Sequence, residues 1–208
     1  MITFKNKVLM IGYGAVAQCA LPILMRHLKV PHKNITVIDF ADKRAALKNW
    51  TDKGVRFFQE KITPINLAQV LGKYVSGGDL VIDLAWNIDC MDILSWCHDN
   101  KVLYANTSVE EWDPYANINK KTLFERSLYF RQTEIRRLTA GWKNATTAIV
   151  DHGANPGLIS HFTKQGLIDI AKKLLRTNGV PKKEKKMPSR IVALVMSISR
   201  RRRLACGI

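Results

Sequence analysis

"VLMIGYGAVAQCALPILMRH", Val8 to His27, is the stretch whose reading decides the fold. Four apolar residues lead into Gly12-Tyr-Gly14-Ala-Val-Ala17, and an apolar segment with helical spacing follows at once. A continuous apolar run ending in glycine suits a strand covered on both faces, and "KVLMIG" (Lys7–Gly12) reads as such a strand. In a strand–turn–helix unit of this kind Gly12 permits the tight turn, Gly14 lets the backbone come close to a pyrophosphate, and the small Ala17 lets the helix pack tightly. The helix opening at Ala15 and Val16 then points its positive end at phosphate. Gly12, Gly14, Ala15, Val16 and Ala17 are therefore candidate dinucleotide-binding residues.

Outward from this unit the pattern repeats. "NITVID" (Asn34–Asp39), "RFFQ", "LVIDLA" (Leu80–Ala85), "VLYANT" (Val102–Thr107) and "TTAIVDHG" (Thr146–Gly153) read as further strands. Helical spacing falls between them at Ala15–Leu28, Lys43–Trp50, Asn66–Val75, Ile88–Asn100 and Thr122–Thr139. Strands alternating with helices imply right-handed crossovers and an α/β Rossmann-type doubly wound parallel sheet. In such a sheet ligands sit outside the carboxyl ends of the strands. That position alone selects Ala85, Trp86 and Asn87, then Thr107, Ser108 and Glu110, then His152 to Asn155; Ala85 and Thr107 are the cofactor-facing candidates among them.

A dinucleotide also needs an acid at the end of the second strand to accept hydrogen bonds from the adenosine ribose. Asp39 supplies it, with Asp42 as the substitute. A carboxylate there repels a 2′-phosphate and favours NAD over NADP. No arginine follows Asp39 directly, although Lys43 and Arg44 stand close by.

After Gly153, "ANPGLISHFTKQGLIDIAKKLL" turns at Pro156 and begins a long helix that leads out of the nucleotide domain. The expected organisation is a nucleotide domain over residues 1–153, the start of a second, incomplete domain over 154–180, and a basic tail over 181–208. The net charge is +16, yet from Lys172 onward twelve Lys and Arg face the single acid Glu184, so most of the charge belongs to this C-terminal stretch. The tail has no aromatic residues interleaved for base stacking, so nucleic-acid or anionic-surface binding is the lesser alternative. "MPSRIVALVMSISRRRRLACGI" has the look of disordered sequence or of a truncated or frameshifted gene.

No apolar run reaches the roughly 20 residues of a membrane span, and the N-terminus lacks a signal peptide's cleavage region, so no membrane contact and a cytoplasmic location are expected. Cys19, Cys90, Cys97 and Cys206 show no CxxC pair, and His152 and His161 have no partner at ligand spacing; reduced thiols and no metal are expected.

"VEEWDPY" (Val109–Tyr115) and "HGANPGLISHFTKQGLIDIA" (His152–Ala171), with the opening "VLMIGYGAVAQCALPIL" and "ITVIDFAD", resemble the N-terminal part of the bacterial homospermidine synthases, relatives of the saccharopine dehydrogenases. The likeness runs from about residue 5 to 175, and members of that family are more than twice as long. It implies an NAD-dependent aminobutyl transfer, in which one putrescine is oxidised to an imine, a second amine captures it with loss of ammonia, and the same NADH reduces the product. The resemblance carries an amine-contacting glutamate onto Glu110 and an active-site asparagine onto Asn155. A carboxylate suits a dicationic diamine, because it offsets the cost of removing the amine from water. Trp112 could add a cation–π contact of about 0.5 to 2 kcal/mol. Putrescine or another small polyamine is thus the expected partner, with room for a homodimer. Plainer readings stand beside these: Glu110 and Glu111 as a solvated helix start, Trp112 as core, Asn155 as a helix cap, and the whole as an inactive fragment or a saccharopine or carboxynorspermidine type of dehydrogenase.

Overall fold

The computed structural model describes residues 2–116 and 118–176. Its strands are β1 (Ile2–Thr3), β2 (Val8–Ile11), β3 (Leu28–Lys29), β4 (Ile35–Asp39), β5 (Arg56–Gln59), β6 (Leu80–Asp83), β7 (Leu103–Asn106) and β8 (Ala148–Ile149). The helices are α1 (Ala15–His27), α2 (Arg44–Thr51), α3 (Leu67–Tyr74), α4 (Cys90–Asp99), α5 (Leu128–Thr139) and α6 (Leu158–Arg176).

Six strands form one parallel sheet in the order β5-β4-β2-β6-β7-β8. The chain works outward from β2 to β5, then returns to the other side of β2 and works outward again. This is the doubly wound Rossmann order, and the reversal beside β2 leaves a crevice at the strands' carboxyl ends. β1 and β3 make a separate two-residue parallel pair that the sequence pattern does not announce.

Every residue of β2 and β4 is buried, which is why both read as unbroken apolar runs. Alternate side chains serve opposite faces. Leu9 and Ile11 join Ile38, Val81, Leu71, Tyr74, Ile93 and Leu94 under α3 and α4. Val8 and Met10 join Val37, Ile35, Ala17, Leu21 and Leu47 under α1 and α2. Burying such side chains stabilises a fold by about 1.5 to 3 kcal/mol each, so the glycine loop at the end of β2 sits on the best-supported part of the sheet.

Two elements are shorter than the sequence pattern suggests. The helix expected from Thr122 begins at Leu128, because Thr122 and Glu125 close a turn of their own through reciprocal side-chain to main-chain bonds, and Ser127 then caps a new helix by accepting from Phe130 N–H. The last strand, expected over Thr146–Gly153, is paired only at Ala148–Ile149. By internal contacts the chain divides into two units, residues 1–150 and 151–208, and of the second unit residues 151–176 are described. The basic tail, residues 181–208, lies outside the described residues.

Candidate dinucleotide site

The turn after β2 is fixed from below. Gly12 has φ +83°, and a Cβ there would stand 3.0 Å from the Cα and N of Ala85 and from the Leu84 carbonyl. The loop thus rests flush on the end of β6, at a spacing only glycine allows. Gly12 N–H donates to Ile38 O at 2.8 Å, tying the turn to β4 as well. At Gly14 the reverse holds: a Cβ would meet nothing within 4 Å. Space is open above that residue, on the side from which a ligand would come. Ala17 is fully buried against the sheet, as close packing of α1 requires, while Val16 faces outward. The first turn of α1 carries no acidic residue, and Gly14 supplies no side-chain cap, so its amide donors stay available for an anion.

Asp39 joins the loop directly. Its Oδ2 accepts from Tyr13 N–H at 2.7 Å and its Oδ1 from Ala41 N–H at 2.8 Å, with the residue 7% exposed. An ionised carboxylate has about four acceptor positions, so two amides leave capacity for ribose hydroxyls. Asp42, the substitute acid, is engaged elsewhere: it binds the main-chain N–H and the guanidinium of Arg44, which holds its carboxyl below the usual range. Open space over Gly14, uncapped amides behind it and a carboxylate bonded to the loop fit a dinucleotide.

Behind the loop lies a polar network that the sequence pattern hides. Ile11, Asp83 and Asn106 are in register at the ends of β2, β6 and β7. Asp83, 4% exposed, accepts from Tyr104 O–H at 2.9 Å and from Ala85 N–H at 3.2 Å, and Asn106 donates to the Tyr104 oxygen at 2.9 Å. Burial pushes the Asp83 carboxyl up to about 7; the two hydrogen bonds oppose this, and the nearby Glu110 charge adds to it. Burial also pushes the Cys90 and Cys97 thiols up to about 12, which makes both inert at neutral pH.

The third cluster gathers the acids after β6 and β7. Arg131, on α5 and with a side chain 13% exposed, lies 3.2 Å from Asp89 and 3.4 Å from Glu111. It also donates to the Glu110 carbonyl at 2.9 Å, which accepts from Cys90 N–H too. Lys121 takes the other oxygen of Glu111 at 2.9 Å. Among the described residues, then, Asp89 and Glu111 have cationic partners, and the Glu110 carboxylate is bonded to the Ser108 hydroxyl at 2.9 Å without an ion pair. Trp112 packs against the core beside α4 and donates its indole N–H to Asp92 at 2.7 Å. Trp86, by contrast, is 68% exposed.

Of the expected site residues the structure brings Gly12, Gly14, Ala15, Val16, Ala17, Asp39 and Ala85 together around one loop, and Thr107 and Glu110 follow β7. Asn155 belongs to the second unit. It stands in a tight turn in which Gly153 N–H donates to Pro156 O and Leu158 N–H to Gly153 O, and a Cβ on Gly157 would overlap the Gly153 carbonyl. His152 and His161 meet edge to face at 5.4 Å in the same unit. No three potential metal ligands cluster among the described residues, and no described helix is long and apolar enough to cross a membrane.

Residues 8–150 match the family model described as the saccharopine dehydrogenase NADP binding domain. The chain is 31% identical over 180 residues to the homospermidine synthase of Blastochloris viridis, covering 84% of this chain and 37% of that one. It is 29% identical over 167 residues to the homospermidine synthase of Mesorhizobium japonicum, covering 79% and 34%. Among solved structures it is similar to the homospermidine synthase from Legionella pneumophila in complex with NAD, with a TM-score of 0.70 and 30% identity over 86% of this chain and 35% of the other. The chain thus spans about a third of the length of these relatives.

Proposed function

The chain belongs to the family of saccharopine dehydrogenase NADP binding domains, and we propose that it is the cofactor-binding part of a homospermidine synthase that uses NAD. The observation that carries this is the Tyr13 N–H to Asp39 bond, which ties a carboxylate to the glycine loop beside the open space at Gly14 and the uncapped start of α1. NAD held there would take a hydride from the amine-bearing carbon of putrescine and return it once a second amine has been captured.

In this proposal each residue does work its surroundings allow. The amides of Gly14, Ala15 and Val16 receive the diphosphate, and Ala17 keeps the helix close enough for them to reach it. Asp39 accepts from the adenosine ribose hydroxyls. Ala85 and Thr107 line the crevice toward the nicotinamide. Glu110 binds the substrate ammonium, since Arg131 and Lys121 engage the neighbouring acids and leave its carboxylate without an ion pair. Arg131 also holds the Glu110 main chain in place. Trp112, its ring fixed by Asp92, offers its face to the amine. Positioning the amine carbon about 3 to 3.5 Å from the nicotinamide is the main task of these contacts.

The test has two parts. Calorimetry with NAD should show saturable one-to-one binding. Incubation with NAD and putrescine, without added reductant, should then yield homospermidine by mass spectrometry if this chain suffices for turnover; binding without product marks it as the cofactor-binding part alone. Absence of binding would remove the proposal. A product that forms only with added NADH and a carbonyl compound would point instead to the net-reducing dehydrogenases, the type named in the family description.

A further inference from the structure

Two dinucleotides compete for such a crevice, and they differ in one group, the phosphate on the 2′-oxygen of the adenosine ribose. The loop that meets this oxygen follows the second strand of the fold, here residues 40–43 between β4 and α2. A site that accepts the phosphate typically places an arginine there. Arg44 stands five residues after Asp39, and its side chain is folded back onto its own loop. Its Nε lies 3.0 and 3.1 Å from the two oxygens of Asp42, and one terminal nitrogen lies 2.8 Å from Oδ2. The Arg44 main-chain N–H donates to Oδ1 of the same carboxylate at 2.9 Å. One acid thus holds both the backbone and the guanidinium of the residue that could reach a 2′-phosphate.

The main-chain bond steadies the start of α2, but stability does not account for the guanidinium contacts. Both side chains are exposed, at 75% for Arg44 and 48% for Asp42, and exposed ion pairs contribute little to folding. What the pair does change is the charge that the loop between β4 and α2 offers. With Arg44 neutralised, the carboxylate of Asp39 is the group that faces the ribose, and it repels phosphate.

We propose that Asp42 is a cofactor-specificity residue, which by holding Arg44 withholds a cation from the 2′-phosphate and makes the loop select NAD over NADP. This rests on the dinucleotide site proposed above. Lys43, on the same loop, has no described ion pair and is the competing source of charge.

The experiment measures NAD and NADP affinity by calorimetry for the wild-type chain and for D42N, D42N/R44Q and D42N/K43Q, with thermal melts to establish that each is folded. In D42N the NADP affinity should rise roughly fivefold, the scale of one exposed charge contact, with NAD affinity unchanged within about twofold. R44Q should abolish that gain, and K43Q should leave it. A D42N chain whose NADP to NAD ratio stays where it was overturns the inference, as does a gain that K43Q removes and R44Q does not. If the wild-type chain binds neither dinucleotide, the site proposal itself is lost, a result distinct from the other two.

Discussion

Replacing Asp83 with asparagine tests whether the strand-end network is as dry as the structure shows. Folding takes this carboxyl from an ordinary value of 3.8 to about 7, and burial is the largest cause. The sign follows from linkage. Between about pH 4 and pH 7 the folded chain keeps a proton on Asp83 that the unfolded chain has released, so the wild-type loses stability as pH rises through that window. Below it both states are protonated, and above it both are ionised, so no further loss occurs. Three units at about 1.4 kcal/mol each set a ceiling of about 4 kcal/mol. Asparagine does not titrate, and any cost of its altered hydrogen bonds to Tyr104 and Ala85 is the same at every pH. Urea unfolding of both chains from pH 5 to 8 should therefore show D83N gaining at least about 2 kcal/mol on the wild-type across the range. Other titrating groups cancel in the difference. A difference that stays flat between pH 5 and 8 would mean that water reaches Asp83, and the account of the buried network would be wrong.

The two loop glycines should fail in opposite ways. G12A puts a Cβ at a positive φ and 3.0 Å from Ala85, and should cost about 2 to 4 kcal/mol in unfolding experiments. G14A meets open space in an ordinary backbone region; it should leave the melting temperature unchanged while weakening NAD binding by about tenfold or more, since its methyl occupies the diphosphate's place. R131M leaves Asp89 without its cation while Glu111 keeps Lys121, and should cost about 2 kcal/mol, below the loss of a partner from a fully buried pair. E110Q should change stability by less than about 0.5 kcal/mol, because among the described residues Glu110 is bound to the Ser108 hydroxyl and to no cation; a larger loss would refute this.

The sheet was legible because its strands are buried on both faces, and such strands carry unbroken apolar runs. For the same reason the glycine loop, α1 and Asp39 could be placed in order along the chain before any coordinates. Asp83 stands inside the expected strand Leu80–Ala85, where nothing local tells which groups it meets. Its partners, Tyr104 and Asn106, lie on the neighbouring strand, where only register reveals the contact. Arg131 was equally silent: it meets Asp89 and Glu110 across 42 and 21 residues. The start of α5 was misplaced because Leu123 and Phe124 keep helical spacing while both are exposed on a separately capped turn. Local spacing reports periodicity, whereas burial and capping decide where the helix begins.

A crystal structure of the chain grown with excess NAD bears most directly on the dinucleotide site. The account predicts the diphosphate over Gly14 and the first turn of α1, with a ribose hydroxyl at hydrogen-bond distance from the Asp39 carboxylate, which keeps its bond to Tyr13 N–H. Nucleotide density elsewhere, or a ribose turned away from Asp39, would contradict it.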